Sequence, residues 1–296
     1  MERLKLTLEG IVANLKAKGI QERHPGFGGE GRVQTRKPSV PTDARSEFLA
    51  NRAMGDRAEK RLAEAMARAC PEWKISHYGE TNRIAAGHPD FRASYLAGLE
   101  QTRRFGKRPD LLVFRATVNV EGDLSTLTHD QTKELVKQAI AAVEVRSSKF
   151  EALTYMAVRK RQRETGKRTG RDTPSFTVKV EDPVIVYRWL DCHPVPESYC
   201  QVFFDSVFAI NFLDIFTIVA SGTGFTVETP AKSQEKSTIM IPITSGVQIG
   251  TATSMPTLEA EHRVTQLGRH DAFIVPRGGG FELDAAAVKK VLLACQ

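Results

Sequence analysis

The chain is poor in the residues that build disulfide frameworks or zinc centres. Its four cysteines (Cys70, Cys192, Cys200 and Cys295) are scattered, with no CxxC pair. They read as reduced thiols of a cytosolic protein, and Cys192-His193 is too isolated to form half a metal site. Long apolar runs are also missing, so no segment is expected to span a bilayer. Charges run through the first turns, so no signal peptide is expected either. The glycine-rich stretch His24-Pro25-Gly26-Phe27-Gly28-Gly29 is not followed by Gly-Lys-Ser/Thr and follows no strand, which excludes a phosphate loop. No internal repeat and no low-complexity tract is visible. Acid is in deficit as well: 35 Asp and Glu stand against 42 Lys and Arg, for a net charge of +7 and a pI near 9.3. Such an excess points to a polyanionic partner, nucleic acid first and an anionic membrane surface as the rival.

What is present suits a globular protein. At 296 residues, 41% of them hydrophobic, the chain can bury a full core. Residues 2–17 carry Leu4, Leu6, Leu8, Ile11, Val12 and Leu15 near helical spacing, and Gly19 ends that helix. Residues 20–44 are rich in glycine, proline and basic side chains and read as a loop, a linker or a DNA-wrapping arm. Thr42 or Asp43 caps a helix running to Ala69, with a break near Gly55 and an apolar face of Ala58, Leu62, Ala65, Met66 and Ala69. Trp73–Tyr78 alternates as a strand. Residues 89–104 are helical, with Phe91, Tyr95, Leu96 and Leu99 on one side. A hairpin or loop spans 117–128, and Thr128 or Asp130 caps a short helix. Phe150–Gln162 is expected to be a helix burying Phe150, Leu153, Thr154, Ala157 and Val158. Val184–Leu190 and Gln201–Ile210 are further apolar elements, the second continuing the sheet.

The informative stretch is Ala142-Val143-Glu144-Val145-Arg146-Ser147-Ser148-Lys149. Alternation along a strand places Val143 and Val145 on one side and Glu144 with Arg146 on the other. An acid and a base projecting from a buried strand cost free energy unless a metal or an anion compensates. Upstream, Lys107-Arg108-Pro109-Asp110 leads into the apolar strand Leu111-Leu112-Val113-Phe114. Carboxylates on neighbouring strands, with a cation two residues past the second, suit a divalent ion and a phosphodiester. The bland alternative is a surface salt bridge between Glu144 and Arg146 on an edge strand.

These residues resemble the PD-(D/E)XK nuclease superfamily: Pro109-Asp110 matches the PD, and Glu144-Val145-Arg146 the (D/E)XK, with arginine where lysine is usual. Pro194–Asp205, taken with Glu144–Ser148, resembles the type II restriction endonucleases of the AccI group. The resemblance implies a restriction-endonuclease-like α/β (α+β) fold, a mixed central β-sheet flanked by helices. The implied organisation is an N-terminal helix and basic arm (1–44), a nuclease core (45–215), and a C-terminal recognition or dimerisation region (216–296) that can belong to the same domain. It implies magnesium held by Asp110, Glu144 and the Val145 carbonyl, and a helix glutamate beside the metal, to which Glu59 corresponds by position. Arg146 would then hold a non-bridging phosphate oxygen, with Lys149 the rival cation.

Magnesium prefers carboxylate and water; it acidifies a bound water and neutralises developing charge. Arginine stays protonated, so Arg146 cannot be the general base; that role falls to metal hydroxide, a neighbouring phosphate or another residue. Past the second strand, Arg159, Lys160, Arg161, Arg163, Lys167, Arg168 and Arg171 stand against the single acid Glu164. Such one-sided charge suits phosphate contacts that position DNA without reading its sequence. The expectation is a cytoplasmic, magnesium-dependent type II restriction endonuclease, acting as a homodimer on double-stranded DNA. A repair or recombination nuclease of the same fold and a non-catalytic DNA-binding protein are the alternatives.

Overall fold

A computed structural model describes residues 2–21, 46–79, 91–120, 122–167, 170–230, 237–265 and 267–294. In chain order the elements are α1 (Glu2–Ala17), α2 (Ser46–Ala69), β1 (Trp73–His77), α3 (Phe91–Phe105), β2 (Leu111–Arg115), α4 (His129–Val136), β3 (Ala139–Ser147), α5 (Ala152–Glu164), β4 (Ser175–Lys179), α6 (Asp182–Cys192), β5 (Glu197–Val202) and β6 (Ser206–Asn211). Then come α7 (Phe212–Ser221), β7 (Thr226–Glu228), β8 (Thr238–Pro242), β9 (Val247–Ser254), β10 (Thr257–Val264), β11 (His270–Arg277), β12 (Gly280–Leu283) and α8 (Ala285–Leu292). The central sheet has seven strands in the order β1-β2-β3-β5-β6-β9-β12. Only β3 and β5 pair in parallel; the other neighbours are antiparallel. The sheet is mixed and flanked by helices, as expected. Strands β4, β8 and β7 form a small second sheet, and β10 with β11 a two-stranded ribbon. Among the described residues, no helix is long and apolar enough to cross a membrane.

Strand alternation divides the core into layers. On one face Leu111, Val113, Ala141, Val143, Val145 and Val202 pack against Ala58, Leu62 and Met66 of α2 and Val288 and Val291 of α8. On the other, Tyr199, Phe208 and Ile210 meet α1, α6, α7 and the small sheet, while Leu112, Phe114 and Ala142 meet Tyr78 and Trp189. Strands β9 and β12 complete the sheet that β1–β3 begin, and β3 packs on both faces, through Val143 and Val145 on one and Ala142 on the other.

Some elements match the sequence reading and others differ. Helix α2 runs through Gly55 without a break; a lone glycine weakens a helix by only about 1 kcal/mol, and α2 is held by its packed face. The expected caps Thr42 and Asp43, and residues 22–44 of the basic arm, lie outside the described residues. The expected helix over 89–104 is α3, on which Leu96 and Leu99 are exposed. Residues 117–120 and 122–128 form a loop with one 3-10 turn, Leu124–Thr126, and Thr128 caps α4 in a reciprocal capping box with Gln131. Val184–Leu190 lies within α6, opened by Pro183 in the first turn. Gln201–Ile210 is split between β5 and β6.

Helix α5 begins at Ala152, later than its hydrophobic pattern suggests. Its N-terminal amides are satisfied from afar: Asp205 accepts from the N–H groups of Ala152 and Leu153 at 2.8 Å and of Thr154 at 3.2 Å. That tertiary cap rotates the helix. Ala152 is buried, Leu153 and Met156 pack on the core, and Thr154, Ala157 and Val158 face outward. Phe150 sits outside the helix against Phe203.

Candidate active site

The site forms where β2 begins beside β3. Leu111 pairs with Val143, the last rung of that ladder in this direction. Among the described residues no strand pairs with β3 beyond it on this side, while its other edge stays paired to β5. Ala142 N–H donates to Pro196 and Ser148 N–H to Val202, so the even-numbered residues of β3 bond β5. The backbone groups of odd-numbered Val145 therefore turn toward β2. Its N–H donates to Asp110 Oδ2 at 2.7 Å, and its carbonyl points to the same side.

Glu144 and Arg146 project from the face opposite Val143 and Val145, as the alternation requires. Glu144 is buried at 2% exposure. One of its oxygens meets the Lys107 ammonium; the other, Oε2, is buried with no hydrogen-bond partner among the described residues. Burial, and then the nearby Asp110 carboxylate, push the Glu144 carboxyl up to about 7, against the pull of Lys107. Asp110 is also pushed up by burial, to about 6, with Lys107 opposing and Glu59 reinforcing. Glu59 reaches in from α2, 3.9 Å from His77 Nδ1; burial, then Asp56 and Glu144, raise it to about 7. Asp110, Glu144 and Glu59 thus share one electrostatic site.

Two cations answer these acids. Burial alone would lower the Lys107 pKa, yet Glu144, Asp182 and Asp110 hold it above its ordinary value. Arg146 is likewise held above its ordinary value despite burial, by Tyr199, Asp182 and Glu144. Lys149 is exposed just past the end of β3. The edge-strand reading of Glu144 and Arg146 does not hold, because β3 has β2 on one side and β5 on the other.

The sequence reading assigned no role to Lys107 or Glu197. Glu197 stands opposite Ala142 in the β3–β5 register, 2% exposed, with neither carboxylate oxygen partnered. Burial, then Glu144, raise its pKa well above the usual carboxylate range. No local sequence signal marks it; the parallel pairing of β5 with β3 puts it there.

Magnesium fits the donor set. Asp110 and Glu144 offer hard carboxylates, Val145 offers a carbonyl on the same side, and Glu144 Oε2 has an unspent lone pair in a buried setting. Among the described residues no three His, Cys, Asp or Glu side chains converge as ligands. The remaining positions would fall to water, which magnesium retains readily.

The expected DNA-contacting residues lie on α5 and the loop after it. Lys160, Arg161 and Lys167 are exposed. Arg159 lies over the Tyr155 ring and bonds Gln162. Arg163 pairs with Asp172 and Arg171 with Glu228. Arg168 lies outside the described residues.

Among known proteins, the family model of the AccI restriction endonuclease matches residues 29–169 and 155–294. No curated protein and no solved structure matches the chain.

Proposed function

The chain belongs to the AccI restriction endonuclease family, and from that premise we propose that it hydrolyses phosphodiester bonds of double-stranded DNA at a specific short sequence, using magnesium. The observation that carries the proposal is the joining of the two half-motifs. The Asp110 carboxylate is tied to the Val145 amide, which lies between Glu144 and Arg146 and directs its own carbonyl to the same side.

Asp110, Glu144 and the Val145 carbonyl would hold the ion. When bound, magnesium supplies a Lewis acid and lowers the pKa of a coordinated water. The chain's own groups do the rest. The Val145 N–H orients the Asp110 carboxylate. Arg146, flanked by Tyr199 and Asp182, keeps a permanent positive charge beside Glu144, where charge builds on the phosphoryl oxygens. Glu59 adds a third carboxylate at the sheet side facing α2. The basic face of α5 and its following loop would bind backbone phosphates, holding the duplex without reading it.

Cutting both strands requires two such sites, so a homodimer on a palindromic target is the expected working form. Residues 216–296 would supply base readout or the dimer surface. Their β10–β11 ribbon exposes Leu258, Val264 and Ile274.

Digestion of long DNA of known sequence, with magnesium or with chelator, tests the proposal. Discrete fragments with common ends, formed only with magnesium, are expected. A smear would favour a nuclease without sequence specificity. Binding without any cut would favour a non-catalytic DNA-binding protein.

A further inference from the structure

We propose that Lys107, outside the E-x-R motif, is a catalytic residue whose ammonium contacts the scissile phosphate while it holds Glu144. The proposal rests on the nuclease reading above and adds to it the lysine that the motif lacks.

Three observations carry it. The first is location. The Lys107 ammonium sits on Glu144 Oε1, with 28% of the lysine side chain exposed against 3% of the glutamate side chain. The lysine is thus the more exposed partner of a buried carboxylate. A cleft of about 130 Å³ opens beside Lys107; Asp110, Gly79, Thr102, Gly106 and Arg108 are among the residues lining it, and Glu144 lies behind Lys107, outside that lining. Arg146 does not line that cleft; it is turned toward Tyr199 and Asp182. A phosphate approaching Asp110 through the cleft meets Lys107.

The second is preorganisation. Gly106 has φ +82°, and a Cβ there would fall 2.2 Å from the Trp189 nitrogen and 2.4 Å from the Ile185 oxygen. Only glycine allows this approach to α6. Lys107 N–H then donates to the Ile185 carbonyl at 3.0 Å. On the other side, Arg108 donates to the Leu127 carbonyl at 2.9 Å and lies 4.7 Å over the Tyr78 ring. With both neighbours pinned, the Lys107 side chain is aimed into the site by the backbone. A solvated surface lysine needs no such seat.

The third is chemical capacity. An ammonium has three donors. One can stay on Glu144 while another takes a non-bridging phosphate oxygen, so substrate binding need not expose the carboxylate to a like charge. Lys107 keeps its proton throughout, and hydrolysis balances without it: water adds to phosphorus and gives up one proton to solvent, the bridging P–O bond breaks, and the departing oxygen takes one proton from solvent.

The test uses the full chain with Lys107→Ala and Lys107→Arg, each checked for a wild-type melting transition. At saturating magnesium and DNA, Lys107→Ala should lose at least about a hundredfold in cleavage. Ethylammonium should restore part of it, but should not rescue Asp110→Ala; Lys107→Arg should keep measurable activity. With chelator present, so that binding is read without turnover, Lys107→Ala should lower the slope of log affinity against log salt by about one unit. Wild-type cleavage by Lys107→Ala, an unrescued loss, or an unchanged slope would each overturn the proposal. If Lys107→Ala fails to fold, Lys107→Met, which keeps the apolar stem, is read for cleavage and slope under the same criteria. Wild-type protein that never cuts in magnesium would instead sink the nuclease reading itself, and this proposal with it.

Discussion

Asp110 accepts a 2.7 Å hydrogen bond from the backbone N–H of Val145, a residue 35 positions later in the chain. That bond replaces the ladder rung that would have followed Leu111–Val143. It fixes a carboxylate from the mouth of β2 against the residue lying between Glu144 and Arg146. The two halves of the motif are thereby held by backbone geometry, which leaves both Glu144 oxygens for other partners.

The acids of the site give the fold a distinctive response to pH. Glu144 and Glu59 are raised to about 7 and Asp110 to about 6, in each case chiefly by burial. The metal-free folded chain therefore retains protons that the unfolded chain has already released. Rising pH, from the usual carboxylate range through about 7, should weaken that fold. Magnesium binds the charged carboxylates of the folded state and should offset the loss. Melting temperatures measured from pH 5 to 8, with magnesium and with chelator, should diverge as pH rises. Glu144→Gln should narrow the divergence; a gap independent of pH would contradict this account.

The two cations of the downstream motif should differ in weight. Arg146 is enclosed beside Glu144, while Lys149 is exposed past the end of β3. Arg146→Ala should lower cleavage about 10²- to 10³-fold, and Arg146→Lys should retain measurable activity despite its lost fork. Lys149→Ala should be much milder. A dead Lys149→Ala beside a fully active Arg146→Ala would mean that the motif has to be redrawn around Lys149.

On α5 and its following loop, Lys160, Arg161 and Lys167 are the exposed cations to test. Replacing them with alanine should weaken binding to all sequences alike and flatten the salt dependence by roughly one unit per lost contact. Arg163 and Arg171, already paired with Asp172 and Glu228, should matter less. An unchanged slope would mark the segment as a solvated surface.

Part of this site could be read directly from the residue order. The period-two alternation of β3 put Glu144 and Arg146 on one face because its pairing with β5 is regular from Ala142 to Ser147; the register shift against β2 lies before that stretch. The Thr128 cap was also legible, since a capping box is local. What escaped depends on contacts distant in sequence. Asp205 sets where α5 starts, so hydrophobic spacing alone misassigned its buried side. An apolar run such as Val184–Leu190 does not distinguish a buried helix from a strand. Lys107 acquires its position from Gly106 touching α6, and Glu197 from the parallel pairing of β5 with β3. Neither leaves a pattern in neighbouring residues.

The most direct test of the central claim compares wild-type protein, Asp110→Ala and Glu144→Ala on the same DNA, with cleavage and binding measured separately. Wild-type protein should give discrete fragments with magnesium and none with chelator. Each variant should lose cleavage by at least about three orders of magnitude, yet bind the target as tightly as wild type, or more tightly once a negative charge near phosphate is gone. Full cleavage by Asp110→Ala would contradict the assignment of the site.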